Sequence, residues 1–239
     1  VTPSSAFGTF SRGEKEAKRR LTGVNRLNTD AEHTAALTFL ALGDSYTIGE
    51  GVAPAQRWPV QLTRDLRATG IALDEPHIVA TTGWTTDELA SAMDAAEPLG
   101  QWDLVSLLIG VNNQYRGRSV DDYRAEFEAL LQRAIGLARG RSDRVFVLAI
   151  PDWGVTPFAA AQGRDAARIA HELDAYNATA ADICARHDVA FVDTAPVSRR
   201  RGAEPAMLAE DGLHPSGALY AEWKNAALPI VRQMLEQAE

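Results

Sequence analysis

The chain reads as a three-layer α/β/α sandwich built on a five-stranded parallel sheet, and three observations lead there. From residue 37 onward, short apolar runs of strand length alternate with longer segments whose apolar residues recur at helical spacing. Strand, helix, strand, helix in this order requires parallel strands joined by right-handed crossovers, with helices on the sheet's faces. The 239 residues suit one large domain at ~150 residues per domain. A globule of this size buries about 72% of its chain's surface and needs no staples.

The first 35 residues stand apart. They are polar, contain the run Glu14-Lys15-Glu16-Ala17-Lys18-Arg19-Arg20 and show little apolar periodicity, so they read as a tail, possible disorder included, ahead of one domain at residues 36–239. No apolar block of about 7 to 15 residues follows the basic cluster, so the tail is not a secretory signal. The first strand is expected at residues 38–42 and the second at 77–81. Thr85 with Glu88 then has the spacing of a capping box and opens a helix. The third strand follows at 104–109. Ser119 with Asp122 starts a helix over 119–138, whose Tyr123, Phe127, Leu130, Leu131, Ala134 and Ala138 share a face. After a fourth strand at 145–150, a helix over 164–186 aligns Ile169, Leu173, Tyr176, Ala180 and Ile183. The fifth strand spans 189–192, and a last helix covers 216–237 with a kink expected at Pro229.

Composition excludes several classes. With 24 basic and 32 acidic residues the net charge is -8, which repels nucleic acid and anionic membrane surfaces. No apolar run reaches the ~18 residues of a membrane span. The single cysteine, Cys184, rules out intramolecular disulfides and multi-cysteine zinc or redox frameworks; beside the apolar stripe of its helix it reads as a small core residue. A cytoplasmic setting is expected, with a secreted or periplasmic one left open by the start at Val1 rather than Met.

In open α/β sheets, ligands bind beyond the carboxyl ends of the strands, where the strand order reverses. Gly43-Asp44-Ser45-Tyr46 follows the first strand, Thr82-Gly83-Trp84 the second and Gly110-Val111-Asn112-Asn113 the third; Asp211-Gly212-Leu213-His214-Pro215-Ser216 lies past the fifth. Together they hold the inventory of acyl transfer: a hydroxyl nucleophile in Ser45, an imidazole base in His214, and a carboxylate in Asp211 to orient it. A three-residue step on one tight turn brings Asp211 onto the Nδ1 of His214 and leaves Nε2 for Ser45. Oxyanion donors would be the Ser45 and Gly83 N–H groups and the Asn112 amide. Taken alone, Gly83 reads as a turn glycine and Asn112 as a loop cap, and only their places after strands two and three lift them. The other histidines, His33, His77, His171 and His187, have no acid on a rim loop. Tyr46, Trp84, Tyr115 and Trp153 are candidate substrate contacts, while Arg116 and Arg118 read as solvated loop charges.

These four motifs, in this order from Gly43 to Ser216, resemble the SGNH hydrolases, the GDSL-type esterase and lipase superfamily. The resemblance covers the chain apart from its tail. It implies Ser45 as nucleophile, Asp211 and His214 as its triad partners, Ser45, Gly83 and Asn112 as oxyanion hole, and a sheet ordered 2-1-3-4-5. Two departures stand out: Tyr46 replaces the leucine of the family's name motif, and Asn113 replaces a frequent Asp, both expected beside the pocket. The first loop lacks the Gly-x-Gly-x-x-Gly of a dinucleotide site. Gly110 stands where a phosphoacceptor domain would carry Asp, and Thr47 occupies the second glycine of the conventional nucleophile elbow. The expectation is a serine esterase without metal or cofactor, acting on short-chain small-molecule or acetylated-sugar esters. A carbohydrate O-acetylesterase, a thioesterase, an acyltransferase and a non-catalytic SGNH-like binding protein are the alternatives.

Overall fold

The computed structural model describes residues 36–237; the expectations for the N-terminal tail, including His33 and the basic run, lie outside the described residues. Five parallel strands form one sheet, β1 (Phe39–Gly43), β2 (His77–Ala80), β3 (Leu104–Leu108), β4 (Val145–Leu148) and β5 (Ala190–Val192), in the spatial order β2-β1-β3-β4-β5. The helices among the described residues are α1 (Ser45–Ile48), α2 (Trp58–Ala68), α3 (Thr86–Ala95), α4 (Val111–Tyr115), α5 (Val120–Leu137), α6 (Pro157–Ala161), α7 (Ala166–Arg186), α8 (Ala195–Arg201) and α9 (Gly217–Glu236).

β1, β3 and β4 are buried along their whole length. That is why they read as near-continuous apolar runs, interrupted in β3 only by the buried Ser106, rather than as alternating ones. β2 and β5 are the edges and are partly exposed. The chain steps outward from β1 to β2 and then returns past β1 to β3. With right-handed crossovers this reversal sends α2 to one face and α3, α5 and α7 to the other. Accordingly α2 packs with α9, and α5 packs against both α3 and α7. Phe146 on β4 links strand and helix layers, its ring 6.1 Å from Phe39 and 6.1 Å edge-on from Trp58 of α2. Each such fully buried large apolar side chain contributes about 1.5–3 kcal/mol.

The expected helix signals are present. The Glu88 carboxylate accepts from the Thr85 N–H at 2.9 Å, and the Ser119 hydroxyl accepts from the Asp122 N–H at 3.0 Å. The expected stripes on α5 and α7 are buried, as is Cys184, whose thiol is pushed up to about 12 by burial. Four strands are shorter than their expected runs: β2 and β3 each stop one residue early, and β4 and β5 are cut back by contacts with α7. β4 stops at Leu148 because Asn177 of α7 takes over the Ile150 main chain, accepting its N–H at 2.8 Å and donating to its carbonyl at 2.9 Å. β5 begins only at Ala190 because the Val189 N–H still closes the end of α7 on the Cys184 carbonyl at 2.9 Å, past a left-handed Asp188 (φ 53°). The last helix is a single span that runs through Pro229.

Candidate active site

Gly43 at the end of β1 pairs in register with Ala80 of β2 and Leu108 of β3. The three following loops therefore leave the sheet side by side, where the strand order reverses. Gly43 is required sterically, since a Cβ there would collide with the Thr47 side chain and lie 2.5 Å from the Leu108 carbonyl oxygen. The chain turns at once into α1. Asp44 caps it, its Oδ1 accepting from the Tyr46 N–H at 3.0 Å, and left-handed Gly49 (φ 73°) ends it. Ser45 is thus the first helical residue, a position whose N–H has no intrahelical acceptor. Among the described residues nothing else accepts the N–H of Ser45 or of Gly83.

The Asp44 carboxyl is fully buried, and burial pushes it up to about 7, with Oδ2 left without a partner among the described residues. The Tyr46 hydroxyl is likewise driven upward by burial. The Tyr46 ring stands between the His214 imidazole and Trp223 of α9, with centroids 5.7 Å from each, and so backs the imidazole with core.

The late loop is built around one carboxylate. Asp211 Oδ1 accepts from the N–H groups of Leu213 and His214, each at 2.9 Å, and Oδ2 meets His214 Nδ1 at 2.5 Å. Gly212 takes the left-handed turn (φ 66°) that folds the loop back on itself. Burial raises the Asp211 carboxyl, but these hydrogen bonds outweigh it and hold the group below the ordinary carboxylate range. With Nδ1 engaged, Nε2 is the ring nitrogen left for a reacting group.

Ser45, Gly83, Asn112 and His214 line one cavity of about 170 Å³, together with Tyr46, Thr82, Val111, Tyr115, Trp153, Phe158 and Leu213. No hydrogen bond joins Ser45 to His214 in this structure, a contact that in unliganded enzymes often tightens only when substrate binds. Gly83 has φ 89° and open space beside it, so conformation rather than crowding demands glycine there. The Asn112 Nδ2 donates to the Trp84 carbonyl at 2.9 Å. One of its two amide hydrogens is thereby fixed and the other stays available.

Tyr46, Tyr115 and Trp153 line the cavity as expected, but Trp84 does not. Its ring packs on the core, and it serves the site through its main-chain carbonyl. Asn113 is also not beside the pocket. It is fully buried and binds α3, accepting from the Thr86 N–H at 3.1 Å and donating to the Thr86 hydroxyl at 2.6 Å. Arg116 and Arg118 are not simply solvated; they pair with Glu88 (3.1 Å) and Asp87 (2.6 Å) on α3. Val111, Phe158 and Leu213 were not singled out by sequence reasoning, since single apolar residues in a loop or in helices as short as α4 and α6 make no periodic pattern. Among the described residues no cluster of three His, Cys, Asp or Glu could hold a metal ion, and no helix is long and apolar enough to cross a membrane.

A doubly wound sheet with a hydroxyl, an imidazole–carboxylate pair and unused N–H groups at its switch point has the parts of an acyl-transferring hydrolase. The model of the GDSL-like Lipase/Acylhydrolase family matches residues 41–222. The chain belongs to that family and is a carboxylic ester hydrolase. Its fold is similar to that of TesA (TM-score 0.64, 20% identity, covering 82% of this chain and 99% of that one). It is similar too to a lipase/acylhydrolase from Enterococcus faecalis (0.62, 21%, 82% and 96%) and to Axe2, an acetylxylan esterase from Geobacillus stearothermophilus (0.63, 20%, 82% and 94%). No curated protein matches the chain in sequence.

Proposed function

We propose that the chain is a serine esterase that hydrolyses short-chain carboxylic esters through an acyl-enzyme, with residues 36–239 as its catalytic domain. One observation carries this reading: the imidazole of His214, clamped through Nδ1 by Asp211, shares a small cavity with Ser45 and with two main-chain N–H groups that have no acceptor among the described residues. Ser45 Oγ attacks the acyl carbon while His214 Nε2 takes its proton, and Asp211 stabilises the imidazolium that forms. The Ser45 and Gly83 N–H groups and the free Asn112 amide hydrogen hold the oxyanion. His214 returns the proton to the leaving alcohol, and water repeats the sequence to release the acid.

The cavity supports the short acyl chain. At about 170 Å³ it falls below the ~300 Å³ at which ordinary small-molecule sites begin, and Tyr46, Val111, Phe158 and Leu213 give it apolar walls. Ser45→Ala is expected to keep the melting temperature and to lose ester hydrolysis by several orders of magnitude. Wild-type turnover in the purified variant would overturn the assignment. Rates across 4-nitrophenyl esters of increasing acyl length, acetylated sugars and acyl thioesters separate plain esterase, carbohydrate O-acetylesterase and thioesterase.

A further inference from the structure

Beside the small cavity lies a second, larger one of about 680 Å³, and the two share Tyr115 and Trp153 as a common wall. The small cavity has room for a short acyl group but not for a sizeable alcohol as well, and the larger cavity across the shared wall offers such an alcohol a place to extend. The wall is rigid. Trp153 is almost fully buried, and its Nε1 donates to Gln114 Oε1 at 2.8 Å; Gln114 Nε2 in turn donates to Glu172 Oε2 at 2.7 Å. Tyr115 lies against the indole, with centroids 5.4 Å apart, and is itself 42% exposed.

The charges around the larger cavity are unequal in their state. Arg118 is paired with Asp87 at 2.6 Å and Arg168 with Glu172 at 2.8 Å. The Asp165 carboxylate is engaged by the N–H groups of Ala167 and Arg168 at the start of α7. Arg164 enters no ion pair or side-chain hydrogen bond among the described residues, and its guanidinium rests on the shared wall, 4.9 Å from the Tyr115 centroid and 5.7 Å from that of Trp153. Stacking holds a guanidinium in place while leaving its N–H edge free, and that planar edge matches a carboxylate or phosphate.

We propose that the second cavity receives the alcohol half of the ester, and that Arg164, stacked on the Tyr115–Trp153 wall, selects alcohols carrying a carboxylate or phosphate. This rests on the esterase reading of the Ser45 site and adds to it the class of leaving group. Acyl specificity then belongs to one side of the wall and alcohol specificity to the other.

The test pairs 4-acetoxybenzoate with 4-acetoxybenzamide, nearly equal in shape and different in charge, and uses 4-nitrophenyl acetate as reference. The wild-type protein should favour the carboxylate by about fivefold or more in kcat/KM, a modest factor because the guanidinium is solvent-accessible. Arg164→Gln should bring the ratio to about one, while Arg232→Gln on the far helix α9 keeps it. Direct titration of 4-hydroxybenzoate, the alcohol product, into wild type and Arg164→Gln reads the same contact without turnover and should show binding weakened by a similar factor. Hydrolysis of 4-nitrophenyl acetate with no preference for the anionic ester, or a preference that survives Arg164→Gln, overturns the subsite and leaves the esterase standing. Arg164-dependent binding of the product with no hydrolysis of any ester overturns the esterase reading instead. A product that binds wild type and variant alike overturns the role of Arg164.

Discussion

At the scale of single residues, the site divides into groups that a motif can reveal and groups that only packing can. Asn112 belongs to both: its place after β3 marks it as a donor, but its bond to the Trp84 carbonyl becomes visible only when the two loops meet. Asn112→Ala should therefore lower kcat by about 10² to 10³, or ~2.7–4 kcal/mol, with KM little changed. Stability should fall too, by the worth of one lost hydrogen bond, about 0.5–1.5 kcal/mol, and the melting temperature with it. Rates and melts on one preparation check both, and a stability loss alone would make Asn112 a loop cap. Asp44 was legible as part of the Gly-Asp-Ser run but not as a buried acid, because burial is a property of the fold. With its carboxyl pushed up to about 7, the folded protein keeps a proton that the unfolded chain releases near ~4. The stability tied to that proton is full below the unfolded value and is lost as pH rises through the folded one. Asp44→Asn retains an acceptor for the Tyr46 N–H and cannot ionise. Its melting temperature relative to wild type should rise between about pH 4 and pH 7 and level off above, whereas parallel curves would show that Asp44 titrates normally.

Elements were legible in proportion to how far their own residues determine them. The strands that are buried on both faces appear as apolar runs, and α5 and α7 announce themselves by stripes that match their buried faces. What the runs do not contain is where pairing stops, since β4 ends on an amide from α7 and β5 starts where that helix finishes closing. α2 escaped notice for a related reason. Its buried side includes Pro59, Gln61 and Thr63, so the apolar period is broken, and Gln61 is accommodated only by the carbonyls of Gln56 and Gly217, the latter 156 residues away in sequence. The tie between α3 and α4 has the same character. Asn113 fills it from one side with both ends of its amide, and the Thr86 hydroxyl on the other goes on to Glu126. Asn113→Ala leaves the Thr86 N–H buried and unpaired, at a cost of about 1–3 kcal/mol. The expected result is a lower denaturation midpoint with turnover per folded molecule largely preserved, without the kcat loss expected of Asn112→Ala. A rate loss equal to that of Asn112→Ala would mean that the tie positions the oxyanion donor as well as holding the helices.

For the whole molecule, the decisive fact is that chain order and spatial order disagree once, at β1 and β2, and that the chemistry lies at this disagreement. The three strands whose loops supply Ser45, Gly83 and Asn112 are neighbours, with Gly43 in register with both flanking strands. The imidazole arrives from a loop after β5, carried against Tyr46 and so against α9. Motif order made this convergence legible, because residues just past parallel strands must share one rim; the partition of that rim into two cavities by Tyr115 and Trp153 was not, since it depends on a chain of contacts from Trp153 through Gln114 to Glu172. Every group assigned to the chemistry lies between Ser45 and His214, and the hydrophobic cluster among the described residues runs from Phe39 to Leu235. A protein beginning at Ala35 should therefore fold cooperatively and hydrolyse 4-nitrophenyl acetate with kcat and KM within about twofold of the full chain, because no group assigned to the chemistry has been removed. Thermal melts and initial rates on the two proteins decide it: a truncated protein that melts well below the full chain, or turns over several times more slowly, would show that the first 34 residues contribute to the domain's core or to its site.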